Sequence, residues 1–271
     1  MERVVVDGMT LEYEAVGTGE PVVFIHGAFI ADSFRPLLAE PSLADRYRLI
    51  TYHRRGYAGS SPACGRVSVA QQAADCRGLL RCLGVERAHV VGHSWGGCFA
   101  LQFALDAPEF VQSLVLLEPG LMVGASGQAY REALLLAEQR YQEMGPAAVL
   151  DGFMEARWPG YRSALDRELP RAFDQAVADA STTLGADLGL LDWRFGAAEA
   201  RRITQPVLVV LGGNSEPLDP RFGETHRFLL AWLPAAEGLV LPGTTHFMQL
   251  EKPREMAEVL AGFFSRHPLK T

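Results

Sequence analysis

The sequence GHSWG at residues 92–96 matches the pattern G-x-S-x-G, with Ser94 at its centre. An apolar, strand-like run precedes it and helix-forming residues follow it. A sharp turn from strand to helix presents the serine hydroxyl above the sheet, and the glycines leave room for neighbouring backbone. The pattern is short enough to arise by chance, but this context favours a nucleophile over a helix-capping serine. We therefore predict that Ser94 is a nucleophile.

A serine hydroxyl is a poor nucleophile unless a base accepts its proton, and histidine is the usual base. Of seven histidines, His246 stands in a loop just after the last predicted strand, on the carboxyl-end side. His226 lies within a predicted helix and His267 near the end of the chain, so both are expected to face solvent. His89 begins a strand at the opposite end of the sheet. We therefore predict that His246 is the base.

The elements around these residues alternate between strands and helices. Short apolar runs rich in β-branched residues, such as 22–25 and 206–211, are typical of strands buried on both faces of a parallel sheet. Residues 121–203 instead carry helical patterns, frequent aromatic residues and no convincing strand. The pattern predicts an α/β core of residues 1–120 and 204–271, interrupted by a helical cap of residues 121–203.

Five segments follow one another in the chain: VVFIHGAF, LITYHRRGYAGSSP, VVGHSWGG, PVLVVLGG and VLPGTTHFMQLEKP. In these segments the chain resembles the α/β-hydrolase superfamily of esterases, dehalogenases and carbon–carbon-bond hydrolases. The resemblance covers nearly the whole chain outside the predicted cap, which stands where that family inserts helices. It implies a mostly parallel central sheet flanked by helices, and a triad whose histidine comes last in the sequence.

The resemblance also implies an oxyanion hole made by two backbone N–H groups. One belongs to the residue after the nucleophile, which is Trp95 here. The other belongs to the residue after the His-Gly pair, which is Ala28, with Phe29 as the alternative. Such donors stabilise the negative charge of a tetrahedral intermediate, typically by roughly 3–4 kcal/mol each.

The chain departs from the family pattern at the acid of the triad. The family usually carries an Asp where this sequence has Ser215, and serine supplies no fixed negative charge. Three carboxylates are candidates in its place: Glu118, Glu216 and Asp219. Some dehalogenase-type relatives carry the acid at the position of Glu118, directly after a buried strand. We predict Glu118, because a buried carboxylate needs a partner such as histidine; Glu216 is the main alternative.

The composition narrows the class of protein. With 48% hydrophobic residues and a net charge of −7, the chain has a globular composition without the basic footprint of a nucleic-acid binder. No apolar run reaches the roughly 20 residues of a membrane helix, and the first residues show no signal-peptide pattern. Four cysteines form no CxxC pair, and no histidine cluster has zinc-site spacing. We expect a cytoplasmic protein, monomer or homodimer, without metal or membrane contact.

A serine at the elbow, where dehalogenases and epoxide hydrolases carry Asp, argues for acyl transfer to water. We expect a cofactor-free serine hydrolase acting on a small or medium carboxylic ester or lactone.

Two alternatives remain open. A carbon–carbon-bond hydrolase of the same fold would need a group such as Arg54 or Arg157 for a dienoate carboxylate, although Arg54 is expected to be structural. A receptor-like protein with little turnover would fit the loss of the usual Asp at Ser215. Cap aromatics are candidates for substrate contact: Phe153, Trp158 and Trp193.

Overall fold

The computed structural model describes residues 1–269, and its central sheet has eight strands. These are β1 (Glu2–Val6), β2 (Met9–Val16), β3 (Glu20–Ile25), β4 (Tyr47–His53), β5 (Ala88–His93), β6 (Val111–Leu117), β7 (Val207–Gly212) and β8 (Ala236–Leu241). Their order in the sheet is β1-β2-β4-β3-β5-β6-β7-β8. The pairs β1–β2 and β2–β4 are antiparallel, whereas all pairs from β4 to β8 are parallel. The predicted, mostly parallel α/β sheet is confirmed.

The central strands are buried on both faces, and most of their side chains are apolar. All six residues of β5 and of β7 are buried, whereas most of the outermost strand β1 is exposed. Successive side chains of a strand point to opposite faces. Accordingly, Val22 and Phe24 join one hydrophobic cluster, and Val23 and Ile25 join the other. The sheet therefore lies between two cores, each covered by helices.

The helices outside the inserted segment flank this sheet. They are α1 (Arg35–Leu38), α2 (Pro41–Ala44), α3 (Val69–Cys82) and α4 (Trp95–Asp106), with a 3₁₀ turn at Pro108–Phe110. After the insertion come α11 (Ser215–Leu218), α12 (Pro220–Trp232), α13 (Met248–Glu251) and α14 (Pro253–Arg266). Helices α1 and α2 both pack on α14, on the face opposite α3 and α4.

Between β6 and β7 the structure contains helices only. These are α5 (Gly124–Met144), α6 (Pro146–Glu155), α7 (Tyr161–Glu168), α8 (Ala172–Ala178), α9 (Ala180–Thr183), a 3₁₀ helix at Ala186–Asp192 and α10 (Ala197–Ala200). This helical segment contacts the loop after β3, where Phe29 packs on Phe153 at 4.8 Å between ring centroids. It also contacts the start of α4, where the indole of Trp95 donates a hydrogen bond to Tyr130. Within residues 1–269, no helix is both long and apolar enough to cross a membrane.

Candidate active site

Ser94 occupies a strained turn between β5 and α4. Its φ of 53° and ψ of −121° lie outside the regions that a serine ordinarily adopts. Backbone hydrogen bonds hold this geometry: the Ser94 N–H donates to the Leu117 carbonyl at 3.0 Å, and its carbonyl accepts from Gly97 and Gly120. Strain of this kind persists only where the surroundings enforce it, and it is common at functional sites.

The glycines around this turn are required by close backbone packing. A Cβ atom on Gly96 would overlap the carbonyl of Ile25, and one on Gly92 would meet the Gly96 carbonyl. Gly27, in the loop after β3, leaves room for the Cβ of Ser94 itself. The two loops that the sequence predicts to frame the reaction therefore lie in direct contact.

His246 and Glu118 lie together in a buried hydrogen-bonded pair. The Nδ1–H of His246 donates to Oε2 of Glu118 at 2.7 Å, which leaves Nε2 of the ring free to accept a proton. The other oxygen of Glu118 accepts from the Gly212 N–H at 2.6 Å. The backbone carbonyl of His246 accepts from the His93 ring at 2.8 Å, which fixes the loop after β8 beside the residue preceding Ser94.

Burial shapes the protonation of this pair. It raises the pKa of Glu118 to about 7, and the adjacent Ser215 hydroxyl and Gly212 amide oppose that rise. Burial also lowers the pKa of His246 well below its usual value, and the positive charges of Arg157 and Arg221 lower it further. The imidazole is therefore neutral near pH 7, the form in which it accepts a proton.

The other candidate acids lie elsewhere. Glu216 is partly exposed and pairs with Arg227 at 2.8 Å. Asp219 accepts from the Arg221 N–H at the start of α12 and pairs with the Arg221 guanidinium at 3.0 Å. Ser215, at the position of the family's usual Asp, is buried against Gly212. Of the three carboxylates weighed from the sequence, the structure brings Glu118 into hydrogen-bond contact with His246.

The backbone amides predicted to hold an oxyanion differ in their partners. The N–H of Phe29 donates to the Thr183 hydroxyl at 3.3 Å, and Phe29 has a positive φ of 62°. The N–H groups of Ala28 and Trp95 donate to no acceptor within residues 1–269. Ala28 and Trp95 are therefore the pair that remains available to a ligand, in the two loops that meet at Gly27 and Ser94.

A cavity of about 310 Å³ adjoins these loops. Its walls are mostly apolar and include Phe29, Trp95, Tyr130 and Phe153, with Arg157 among them. This volume suits a small ligand. Of the cap aromatics proposed from the sequence, Phe153 lines this cavity.

A second, larger cleft of about 980 Å³ is open and polar. Its walls include Glu12, Asp32, His53 and Arg171. Among the described residues 1–269 that line this cleft, none is a predicted member of the triad or of the oxyanion hole. Nor do any three His, Cys, Asp or Glu side chains of residues 1–269 lie close enough together to hold a metal ion.

Sequence reasoning missed several residues of the site region. Neither Arg221 nor Tyr130 carries a sequence signal that marks it as part of the site. For Asp219 a signal exists, because Asp219-Pro220 is a helix-start pattern that assigns Asp219 to capping. The expectation that His226 faces solvent was wrong: it is partly buried, and its Nε2 has no hydrogen-bond partner within residues 1–269. The contacts of Tyr130 with Arg221 and Trp95 join distant segments of the chain and leave no local sequence pattern.

A family model described as the alpha/beta hydrolase fold matches residues 20–253. The chain belongs to the α/β-hydrolase family. Among curated relatives, this α/β hydrolase is 33% identical over 266 residues to the dihydrolipoyllysine-residue acetyltransferase component of an acetoin cleaving system from Cupriavidus necator. That alignment covers 94% of this chain but 66% of the relative, so the chain spans just under two thirds of the relative's length.

Solved structures of α/β hydrolases share the whole fold. An esterase from Thermogutta terrifontis superposes with a TM-score of 0.82 at 20% identity, covering 99% of this chain and 100% of that one. Est816, described as an N-acyl homoserine lactone degrading enzyme, superposes with a TM-score of 0.74 at 25% identity, covering 97% and 100% of the two chains. The family and its fold are thus established, and the family includes esterase and lactonase neighbours.

Proposed function

We propose that this α/β hydrolase is a cofactor-independent serine hydrolase that cleaves a small or medium carboxylic ester or lactone through an acyl-enzyme. The observation that carries the proposal is the buried hydrogen bond from His246 to Glu118 at 2.7 Å, beside the strained turn of Ser94. It supplies the oriented base that a serine nucleophile requires, in a chain that lacks the family's usual Asp.

In the proposed reaction, His246 Nε2 accepts the Ser94 proton as the serine oxygen bonds to the acyl carbon. The Ala28 and Trp95 amides stabilise the negative charge on the carbonyl oxygen. The bond to the leaving oxygen breaks, and His246 gives its proton to that oxygen. A water molecule then transfers a proton to His246 as its oxygen bonds to the acyl carbon. The bond between the acyl carbon and the Ser94 oxygen breaks, and His246 returns the proton to that oxygen, which releases the carboxylic acid and restores Ser94.

The test is hydrolysis of a series of short-chain p-nitrophenyl esters. We expect wild-type turnover, and a loss of about 10³-fold or more in Ser94→Ala, because the nucleophile is removed. Ser163→Ala, on an exposed position of α7, is the matched control and retains wild-type rates. Esters untouched by well-folded wild-type protein would refute the proposal and favour the carbon–carbon-bond hydrolase or the receptor-like alternative.

The identity of the acid is tested separately. Glu118→Gln removes the charge that stabilises the imidazolium, so kcat falls at least about tenfold. Glu216→Gln, which alters an exposed ion pair with Arg227, stays near wild type. Both variants are compared with wild type by kcat on one ester and by circular dichroism. The reverse pattern would reject Glu118 as the acid.

A further inference from the structure

Two arginines, with 13% (Arg157) and 2% (Arg221) of their side chains exposed, share a single carboxylate next to the proposed site. Arg221 pairs with Asp219 at 3.0 Å, while Arg157 approaches the same oxygen of Asp219 at 3.9 Å. Arg157 follows α6 in the helical insertion, and Arg221 belongs to the first turn of α12. The two cations therefore come from different parts of the chain and converge on one anion.

The hydrogen-bonding capacity of this cluster is incompletely used. The Nε of Arg221 is buried without a partner within residues 1–269. Glu118 is the other nearby carboxylate, but its oxygens accept from Gly212 and His246. A buried charge without full pairing is costly, so a fold that keeps two such cations retains them at the expense of stability. In a chain of net charge −7, this local excess of positive charge is opposite in sign to the whole.

The cluster borders the apolar cavity that Phe29 and Trp95 line. Arg157 lines the cavity and lies 3.9 Å from the ring centre of Phe153, which packs on Phe29. The Arg221 guanidinium lies 3.7 Å from the ring centre of Tyr130, whose hydroxyl accepts from the indole of Trp95 at 2.8 Å. Each arginine is thus one aromatic ring away from a loop of the proposed oxyanion hole.

We propose that Arg157 binds a carboxylate on the substrate, with Arg221 stabilising that anion from behind Tyr130, so that the preferred esters carry an acyl chain ending in a carboxylate. The inference rests on the proposed ester hydrolysis and adds the substrate class. A guanidinium presents a planar fork of donors that matches a carboxylate. The apolar walls of the cavity would hold the chain between this carboxylate and the reacting carbonyl.

The test compares p-nitrophenyl hydrogen glutarate with p-nitrophenyl hexanoate, a neutral ester of matched chain length. We expect wild-type kcat/KM to favour the glutarate ester by about tenfold or more, because a charge-assisted hydrogen bond is lost in the neutral ester. Arg157→Gln lowers kcat/KM for the glutarate ester by about tenfold more than for the hexanoate ester. A change confined to the pKa of His246 would alter both esters alike.

Arg162→Gln is the matched control. Arg162 is another arginine of the helical insertion, stacked 3.5 Å from the ring centre of Phe173, with 48% of its side chain exposed. We expect Arg162→Gln to leave the ratio of kcat/KM for the glutarate ester to kcat/KM for the hexanoate ester unchanged. A wild-type enzyme without preference for the glutarate ester, or an equal preference in Arg157→Gln, would overturn the proposal.

Binding distinguishes this proposal from the hydrolysis on which it rests. Titration calorimetry of the Ser94→Ala protein with p-nitrophenyl hydrogen glutarate measures affinity without turnover. We expect binding that weakens about tenfold when Arg157→Gln is added and is unaffected by Arg162→Gln. Binding independent of Arg157 would refute the carboxylate subsite even if esters are hydrolysed, whereas Arg157-dependent binding without wild-type turnover would refute the hydrolysis alone.

Discussion

Two arginine clusters adjoin the proposed site, and they differ in how fully their charges are matched. In the first, Arg54 forms a bidentate ion pair with Asp187: its two terminal nitrogens donate to the two carboxylate oxygens at 3.0 and 2.8 Å. Asp187 also accepts from the Tyr57 hydroxyl at 2.7 Å and from Gln72 at 2.9 Å. One cation thus faces one anion, and every oxygen lone pair has a donor.

The second cluster places Arg157 and Arg221 around the single carboxylate of Asp219, with the Nε of Arg221 left without a partner within residues 1–269. Its guanidinium groups rest on aromatic rings that line or adjoin the cavity. Both clusters link the helical insertion to the sheet. They differ in charge matching, and the Arg54–Asp187 pair is fully buried whereas Asp219 keeps 24% of its side chain exposed.

The difference separates a structural ion pair from a binding one. The matched pair also holds the loop after β3, because Arg54 donates to the His26 carbonyl at 3.2 Å and to the Gly27 carbonyl at 3.0 Å. A residue of the insertion, Asp187, thereby positions the loop that carries Ala28. The unmatched cluster has donors to spare and faces a cavity, which is what recognition of an anion requires.

The largest effect is expected from breaking the matched pair. Asp187→Asn removes the charge opposite Arg54 and turns an amide NH₂ toward surrounding donors, so we expect a loss of about 3–5 kcal/mol in the free energy of unfolding. Urea unfolding measures this loss. Asp174→Asn, at an exposed position in α8, is the control and changes stability by no more than about 0.5 kcal/mol. A loss below about 1 kcal/mol in Asp187→Asn would contradict the structural role of this pair.

The sequence predicts much of the core because its signals are local. Runs of apolar residues predict the central strands. A carboxylate directly after such a run predicts Glu118 as the acid of the triad. The Arg54–Asp187 pair spans 133 positions, and Arg157 meets Asp219 from a different element. No periodicity or short motif indicates such a contact. The sequence therefore predicts a structural role for Arg54 but does not identify its partner, Asp187. The helix-start pattern at Asp219 is local and points to capping, whereas its approach to Arg157 of the insertion leaves no signal in the sequence.

The smallest effect on stability, and the most informative, is expected from Arg221→Met. Methionine fills similar space and packs on aromatic rings such as Tyr130 and Phe222, so the variant loses little beyond one ion pair with Asp219. Because removing an incompletely paired buried cation also relieves its cost of burial, we expect a change within about 1 kcal/mol. A loss as large as that of Asp187→Asn would show that the second cluster is structural too.

The same variant should move the pH dependence of hydrolysis. The positive charge of Arg221 lowers the pKa of His246 and also that of Glu118, so its removal raises both. Activity requires His246 neutral and Glu118 ionised, and both conditions fail as pH falls. The acid limb of kcat/KM for the neutral hexanoate ester should therefore move to higher pH in Arg221→Met. Arg157 acts on His246 with the same sign and Asp219 with the opposite sign, so Asp219→Asn should move the limb to lower pH. A limb that stays in place in both variants would mean that this cluster does not reach the base electrostatically.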